Sequence, residues 1–304
     1  MKGESNTRTY AHKLARVCDR AFHLIRTLHA PAYRNPTDAE LDAIELRLSA
    51  LQIQPNDLTV EADEFNTFSI EYRFPGDYHG GVASGVYVEK LFEHFISWKL
   101  LDLNNPCGCT YVDIAACSSP WALLLRGKGI RAFANDLVVN PEYRHLNYYR
   151  REDATQSSFK PGSIDRASLQ CAYEMFLGDN DIALLRELSR ILSPGGKVVI
   201  CPLYTHVTAC FYQTPEYYGQ SYGDSGATRY IRRDCWGVPA SRKYCPETFK
   251  TRVWDNAIQF GLTPTLHVLR NKKQLNKGIY LHFILVLEKR RPHIEIMPAG
   301  AARG

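Results

Sequence analysis

The chain has 304 residues, a formal net charge of +5, 45% hydrophobic and 23% charged residues, a composition typical of globular proteins. No apolar run approaches the ~18 residues of a membrane span, and the basic residues are too dispersed for a nucleic-acid surface. The nine cysteines form no CxxC pair, so we expect reduced thiols and no metal site.

Residues 1–84 are predicted to form a helical cap. The segments 11–29 and 36–53 repeat apolar residues at helical spacing, and Thr37 is a favourable helix cap. The first thirty residues lack the unbroken apolar segment of a secretory signal, so a cytoplasmic location is expected. A Gly-rich loop at 74–85 then leads into a further predicted helix.

From residue 110 the pattern changes to apolar strands that alternate with helices, which predicts a parallel sheet covered on both faces. The last two strand-like runs, 263–273 and 279–289, are joined by only five residues and should form an antiparallel hairpin. The predicted fold is therefore α/β, with an open, mostly parallel seven-stranded sheet that ends in an antiparallel hairpin. A long lid follows the fifth strand at 203–245, and 291–304 is expected to be a flexible tail.

Three acidic residues lie at the ends of successive predicted strands: Asp113, Asp136 and Asp153. Parallel sheets bind ligands beyond the carboxyl ends of their strands. An acid after the second strand can accept hydrogen bonds from both ribose hydroxyls, and Asp153 with Ala154 suits an exocyclic adenine amine. One such acid alone would more often be a helix cap, but three in succession favour a binding site.

Together with these acids, the stretches "DIAACSS" at 113–119 and "LSPGGKVVI" at 192–200 resemble the class I S-adenosylmethionine-dependent methyltransferases. The first motif of that superfamily is an acid, an apolar residue and then Gly-x-Gly-x-Gly, and here Ala115, Cys117 and Ser119 stand in the glycine positions. S-adenosylmethionine has no phosphate, so small residues can replace the glycines that a pyrophosphate requires.

The resemblance covers residues 85–290 and implies a domain that binds S-adenosylmethionine as its cofactor. The residues that we expect to contact the cofactor within this range are Asp113, Ala115, Ala116, Cys117, Ser118, Ser119, Asp136, Leu137, Asp153, Ala154, Gln170 and Cys171. Tyr78, beside the Gly-rich loop, is a further candidate because that loop could close over the cofactor.

In this fold the acceptor lies above the fourth and fifth strands, which makes Tyr173, Glu174, Tyr204 and His206 the candidate catalytic residues. The alternative for Tyr173 is that its side chain packs in the hydrophobic core. A buried, unpaired carboxylate at Glu174 would be costly, so a functional or paired role is favoured there.

The lid at 203–245 is rich in tyrosine and arginine. Tyrosine faces stabilise cations and arginines bind carboxylates or phosphates, so Tyr222, Tyr230, Arg232 and Arg233 are the candidate substrate-binding residues. The alternative is a folded subdomain in which the tyrosines pack and the arginines are solvated.

The sequence most favours methylation of an oxygen or nitrogen on a small molecule. Two other reactions of S-adenosylmethionine stay open, cyclisation to azetidine-2-carboxylate with release of methylthioadenosine and transfer of the aminocarboxypropyl group. A non-catalytic binding subunit is the third class. A small-molecule substrate is the expected partner, nucleic acid and membrane are not expected, and a homodimer is left open.

Overall fold

The computed structural model describes residues 3–105, 108–222 and 224–291, with side chains from residue 15 onward. The predicted tail therefore lies, except for its first residue, outside the described part of the chain. The helices are α1 (Gly3–Arg26), α2 (Asp38–Ala50), α3 (Ala62–Glu71), α4 (Tyr87–Leu100), α5 (Trp121–Gly127), α6 (Asn180–Ile191), α7 (Pro246–Thr248), α8 (Asp255–Gln259) and α9 (Lys272–Leu275), with a π-helical segment Phe249–Trp254 between α7 and α8.

The strands form one large sheet and one small one. They are β1 (Asn56–Leu58), β2 (Thr110–Ile114), β3 (Arg131–Asp136), β4 (Tyr149–Arg151), β5 (Ile164–Gln170), β6 (Leu192–Cys201), β7 (Cys210–Gln213), β8 (Thr228–Ile231), β9 (Ser241–Lys243), β10 (Leu262–Leu269) and β11 (Phe283–Lys289). The large sheet has the order β1-β10-β11-β6-β5-β2-β3-β4, and only the pairs that involve β11 are antiparallel.

This topology confirms the predicted open, mostly parallel sheet with an antiparallel terminal pair. Seven of the strands match the prediction, and an eighth, β1, comes from the region predicted to be helical only. It pairs in parallel with the outer edge of β10. The pairing covers backbone groups that an edge strand otherwise leaves open, a long-range effect that local periodicity does not reveal.

The hairpin is less tight than predicted. The strands end at Leu269 and resume at Phe283, and the short helix α9 occupies the connection. The register is antiparallel throughout, with Leu262 opposite Lys289 and Val268 opposite Phe283. The apolar runs therefore predicted the pairing correctly but placed the strand ends several residues too far into the connection.

Helices cover both faces of the large sheet. Alternate residues of β2 point to opposite faces, since Val112 packs in the core under α6 and Tyr111 in the core under α4. The N-terminal helices are divided between these cores, with Ile44 and Leu48 of α2 on one face and Phe68 of α3 on the other. No helix in the described part of the chain has the length and hydropathy needed to cross a bilayer.

The segment 203–245 is largely folded. Its three strands form the small sheet β8-β7-β9, and a bridge from Ala32 to Ile231 ties it to the N-terminal region. Arg242 anchors the segment to α6 through an ion pair with Asp181 at 2.7 Å. The structure thus has the folded subdomain that the sequence left as the alternative, and movement of this segment as a lid remains a prediction.

Candidate active site

The loop after β2 has the backbone of a glycine loop without its glycines. Ala115 and Cys117 have φ values of +56° and +48°, in the left-handed region that side chains disfavour. The backbone N–H of Cys117 donates to Oδ2 of Asp136 at 2.8 Å, which joins the first loop to the end of β3. Two of the three predicted glycine positions therefore have the conformation that glycine would favour.

The strain at Cys117 leads to a stability prediction. Because glycine tolerates positive φ and the Cys117 side chain is exposed, Cys117→Gly is expected to raise the free energy of unfolding by about 0.5–1 kcal/mol. Urea unfolding measures this change. Ser118→Gly, one residue on and without positive φ, is the control and should be neutral or destabilising. Equal effects of the two substitutions would contradict the assignment of strain to Cys117.

Asp113 supports the loop after β2 through a hydrogen bond with Ser119. Its carboxylate is buried and accepts a hydrogen bond from Ser119 Oγ at 2.8 Å, and the backbone oxygen of Ser119 accepts one from Tyr149 at 2.7 Å. Burial raises the pKa of Asp113 to about 7. Tyr78 lies nearby, where its hydroxyl is hydrogen-bonded to His94 Nε2 at 2.9 Å. The structure thus gives Asp113 a role in shaping the loop.

Asp136 ends β3 beside an open apolar surface. Its Oδ1 accepts the N–H of Val138 at 2.8 Å, and Leu137 and Val138 are each 63% exposed. A carboxylate next to exposed aliphatic side chains suits the ribose and the flat base of a nucleoside.

The remaining cofactor candidates of the first three strands are divided between surface and core. Asp153 caps a short 3₁₀ turn, because its Oδ1 accepts hydrogen bonds from the N–H and the hydroxyl of Thr155, both at 2.8 Å. Ala154 is buried, Ala116 is nearly buried at 9% exposure, and Ser118 is exposed. The cap is the role that sequence reasoning favoured for a lone Asp, and an adenine contact at Asp153 remains a prediction.

The ends of β5 and β6 bring together several predicted residues. Cys171, with φ +50°, hydrogen-bonds through its N–H to the backbone oxygen of Cys201 at 3.0 Å, which holds the two strand ends side by side. Its sulfur lies 3.4 Å from Glu174 Oε1 and 3.3 Å from the Tyr204 hydroxyl. Gln170 points back to Ser97 Oγ at 3.1 Å.

Lys243 is a functional candidate that sequence reasoning missed. The side chain is 3% exposed, and its Nζ lies 3.5 Å from the centroid of the Tyr204 ring and 5.2 Å from that of Tyr212. Its one hydrogen bond found in the described residues goes to Ser241 Oγ at 3.0 Å. Burial lowers the pKa of Lys243 to about 8. Lys243 is the only lysine in the sequence 203–245, but the sequence did not indicate that it is buried.

Helix α4 adds charged groups to this region. Lys90 Nζ donates to Glu93 Oε1 at 2.7 Å, and Glu89 Oε2 accepts the backbone N–H of Tyr280 at 2.9 Å. Burial raises the pKa of Glu89 to about 8 and that of Glu93 to about 7. Two glutamates four residues apart on an apolar helix face were the available sequence signal.

These groups form one buried assembly. The charges of Lys90, Glu93 and Glu174 act on Cys171, and those of Glu174 and Cys171 act on Lys243. We call the following side chains the polar cluster: Glu89, Lys90, Glu93, Cys171, Glu174, Tyr204 and Lys243.

Two predicted catalytic residues lie apart from the polar cluster. Tyr173 is a core residue, 1% exposed, whose hydroxyl donates to the backbone oxygen of Asp181 at 3.3 Å and whose ring stacks on Tyr244. The turn after β5 directs Glu174 to the cluster and Tyr173 to the core, the alternative place expected for Tyr173 from the sequence, and its catalytic role stays an untested prediction. His206 lies beside the rings of Tyr33 and Tyr230, and burial lowers its pKa.

The predicted substrate-binding arginines already have protein partners. Arg233 donates to the backbone oxygen of Ala30 at 3.0 Å and so fixes the end of the first helix. Arg232 pairs with Asp234 at 2.9 Å. One nitrogen of the Arg233 guanidinium is thus bound to the backbone, its buried Nε has no partner among the described residues, and its role in substrate binding stays a prediction.

The two predicted substrate-binding tyrosines differ in their surroundings. Tyr222 donates to the side chain of Gln220 at 2.6 Å, away from the polar cluster. Tyr230 lies in the aromatic group with Tyr33, at a ring distance of 6.3 Å.

A cavity of about 220 Å³ opens beside Tyr204, a member of the polar cluster. It lies between the N-terminal segment and the connection of the hairpin, and Tyr33, Tyr204 and Tyr280 are among its lining residues. Among the described residues no group of three or more side chains could hold a metal ion.

Comparison with known proteins agrees with this geometry. Residues 112–200 match a family model described as a methyltransferase domain. The search of curated proteins found no match. One similar solved structure is a 1,6-didemethyltoxoflavin-N1-methyltransferase from Burkholderia thailandensis, with 14% identity, a TM-score of 0.47, and coverage of 78% of this chain and 95% of that one.

A second similar structure is a geranyl diphosphate C-methyltransferase from Streptomyces coelicolor A3(2), with 15% identity, a TM-score of 0.40, and coverage of 73% of this chain and 87% of that one. Identities and scores this low carry no argument about activity. The family match covers β2 to β6, the part of the sheet that positions the loop, Asp136 and Cys171. The match of residues 112–200 to a methyltransferase domain agrees with the resemblance of the sequence to the class I S-adenosylmethionine-dependent methyltransferase superfamily.

Proposed function

We propose that this protein transfers the methyl group of S-adenosylmethionine to an oxygen or nitrogen of a small molecule. The observation that carries the proposal is the polar cluster, which lies at the carboxyl ends of β5 and β6. Ligands of open parallel sheets bind at this end of the strands. Tyr204 of the cluster also lines a cavity of about 220 Å³, a size that fits a small acceptor better than a macromolecule.

The residues beyond β2 and β3 fit S-adenosylmethionine, the methyl donor of this superfamily. The left-handed backbone at Ala115 and Cys117 keeps the loop close to the sheet, and Asp136 is the candidate acceptor for the ribose hydroxyls. Leu137 offers an exposed apolar surface for the base. When bound, the cofactor supplies a methyl group that is already activated by its sulfonium, so the protein's main task is positioning.

Lys243 is the group that we assign to accept the proton of the acceptor. Its pKa of about 8 means that much of the side chain is neutral in weakly alkaline solution, which a base requires. Tyr204 holds Lys243 through its ring and contacts Cys171 through its hydroxyl, so it links the base to the end of β5.

The ribose assignment predicts the effect of removing the charge at Asp136. Asp136→Asn should weaken binding of S-adenosylhomocysteine by about 1.5–3 kcal/mol, the scale of hydrogen bonds to a charged group. Calorimetry measures the affinity, and circular dichroism checks the fold. Glu142→Gln, at an exposed acid in the next turn, is the matched control and should bind normally. Unchanged affinity in folded Asp136→Asn would refute the assignment.

The proposed reaction is tested with S-adenosylmethionine labelled in its methyl group. Purified protein is incubated with the cofactor alone and with a metabolite extract, and all products are identified by mass. We expect an intact cofactor in the first case, and S-adenosylhomocysteine plus a labelled product in the second.

The contrary outcomes each identify another reaction. Methylthioadenosine without an acceptor would indicate cyclisation to azetidine-2-carboxylate. Methylthioadenosine only with the extract would indicate transfer of the aminocarboxypropyl group. No consumption in either case would indicate a non-catalytic binding subunit.

A further inference from the structure

Three buried carboxylate oxygens of the polar cluster have no hydrogen-bond donor among the described residues. They are Oε1 of Glu89, Oε2 of Glu93 and Oε2 of Glu174. The first two glutamates are fully buried and Glu174 is 5% exposed. An open buried carboxylate oxygen is costly and is normally satisfied by a partner. These oxygens come from two separate elements, helix α4 and the turn after β5, and the charge of Glu174 acts on Glu93 across them.

When all three glutamates of the polar cluster are ionised, they outnumber its two lysines by one charge. Glu89, Glu93 and Glu174 face two lysines, Lys90 and Lys243, and Lys90 is already paired with Glu93. The pKa of Glu89 and that of Glu93 are raised, first by burial and, at Glu89, also by repulsion from Glu93. A bound cation would offset both effects, whereas an anion would meet three carboxyl groups.

Two tyrosines that line the cavity, Tyr204 and Tyr280, also contact side chains of the polar cluster. Tyr280 lines it and donates its backbone N–H to Glu89, and Tyr204 lines it and contacts Cys171 and Lys243. Tyrosine rings attract cations through their faces. The cavity is therefore separated from the open carboxylate oxygens by Tyr204 and Tyr280, and a ligand would reach these oxygens by displacing the two tyrosines.

We propose that the polar cluster binds the ammonium group of the acceptor, whose N–H groups donate to the open oxygens of Glu89, Glu93 and Glu174. The substrate class is then a small amine that is protonated at neutral pH. This inference rests on the proposed function in so far as the ligand is the methyl acceptor. Binding of the amine can be measured separately from methyl transfer. The ammonium group anchors the acceptor at the side of the cluster formed by α4. Lys243, beside Tyr204, accepts the proton at the other side.

The test uses three ligands of similar shape and different charge: 2-phenylethylamine, 2-phenylethanol and phenylacetate. Each is titrated at pH 7 by calorimetry into protein saturated with S-adenosylhomocysteine. We expect the amine to bind roughly tenfold or more tightly than the other two, the scale of one charged hydrogen bond. Titrations in two buffers of different ionisation enthalpy should show proton release, because the cation lowers the pKa of Glu89 and Glu93.

Two variants locate the binding. Glu174→Gln removes one charge but keeps the shape, and Glu89→Gln retains an oxygen that can accept the N–H of Tyr280. Each variant should lower the affinity for the amine roughly tenfold and keep the affinity for S-adenosylhomocysteine within about twofold of the wild type. Glu288→Gln, at a half-exposed glutamate of β11, is the control and should bind the amine normally.

The extract provides a second, independent arm. It is divided on ion exchangers, and each fraction is assayed for methyl acceptance. We expect the acceptor in the fraction that the cation exchanger retains. The inference would be overturned if the neutral or the anionic ligand bound more tightly than the amine. It would also be overturned if both variants bound the amine fully, or if they lost S-adenosylhomocysteine binding to the same extent. Amine binding with the expected variant effects but no methylation in any fraction would support the site and contradict the proposed function.

Discussion

Arg242→Met is expected to lower the free energy of unfolding by about 3–5 kcal/mol, the scale measured when one partner of a buried ion pair is removed. Arg242 is 3% exposed and pairs with Asp181 at 2.7 Å and Asp224 at 2.5 Å. It also donates to the backbone oxygens of Phe176 at 2.9 Å and Gly178 at 2.7 Å. Methionine fills similar space but leaves these acceptors without their donor. Most of the loss in free energy of unfolding therefore comes from buried oxygens that no longer have a hydrogen-bond donor.

Urea unfolding at neutral pH measures this change. Arg232→Met is the matched control, because the pair of Arg232 with Asp234 is largely exposed and surface pairs contribute about 0–1 kcal/mol. A loss below about 1 kcal/mol in Arg242→Met would show that the segment 203–245 does not depend on this anchor. The adjacent residue is Lys243, so the same anchor also positions the assigned base.

Lys243→Met is expected to lower kcat by about 10²–10⁴, the usual contribution of a positioned general base. The wild-type rate should rise with pH and level off above about pH 8, since the lysine must lose its proton before it can accept one. Lys243→Met should lack this rise. Lys243→Arg keeps the positive charge but stays protonated, so it should be as slow as the methionine variant.

The pH profile separates a base from a structural role. A lysine that only fills space would be replaced by methionine with little change in the profile. Lys250→Met is the control, because Lys250 pairs with Asp255 at the surface of the helix after the small sheet, and its kcat should stay near that of the wild type. A wild-type rise near pH 8 that persists in Lys243→Met would assign the base elsewhere.

The sequence by itself determined the architecture of the large sheet. Apolar strands that alternate with helices require burial on both faces, and this pattern is local, so it can be read without knowing what packs on it. The placement of Asp113 within β2 and of Asp136 at the end of β3 followed from the same spacing. The left-handed backbone at Ala115 and Cys117 was not predicted, because the sequence analysis took these residues only as small replacements for glycine.

Only the tertiary structure decided which polar groups meet. Glu89 and Glu93 belong to a helix whose apolar pattern predicted packing alone, and Lys243 lies 150 residues further along the chain than Glu93. The turn after β5 sends Glu174 to the cluster and its neighbour Tyr173 to the core, a choice of side-chain direction that one residue of register controls. The hydrogen bond of Arg233 to the backbone oxygen of Ala30, in the segment after α1, likewise appears only in the fold. Burial, pairing and pKa depend on contacts between distant segments, so they follow from packing and not from local pattern.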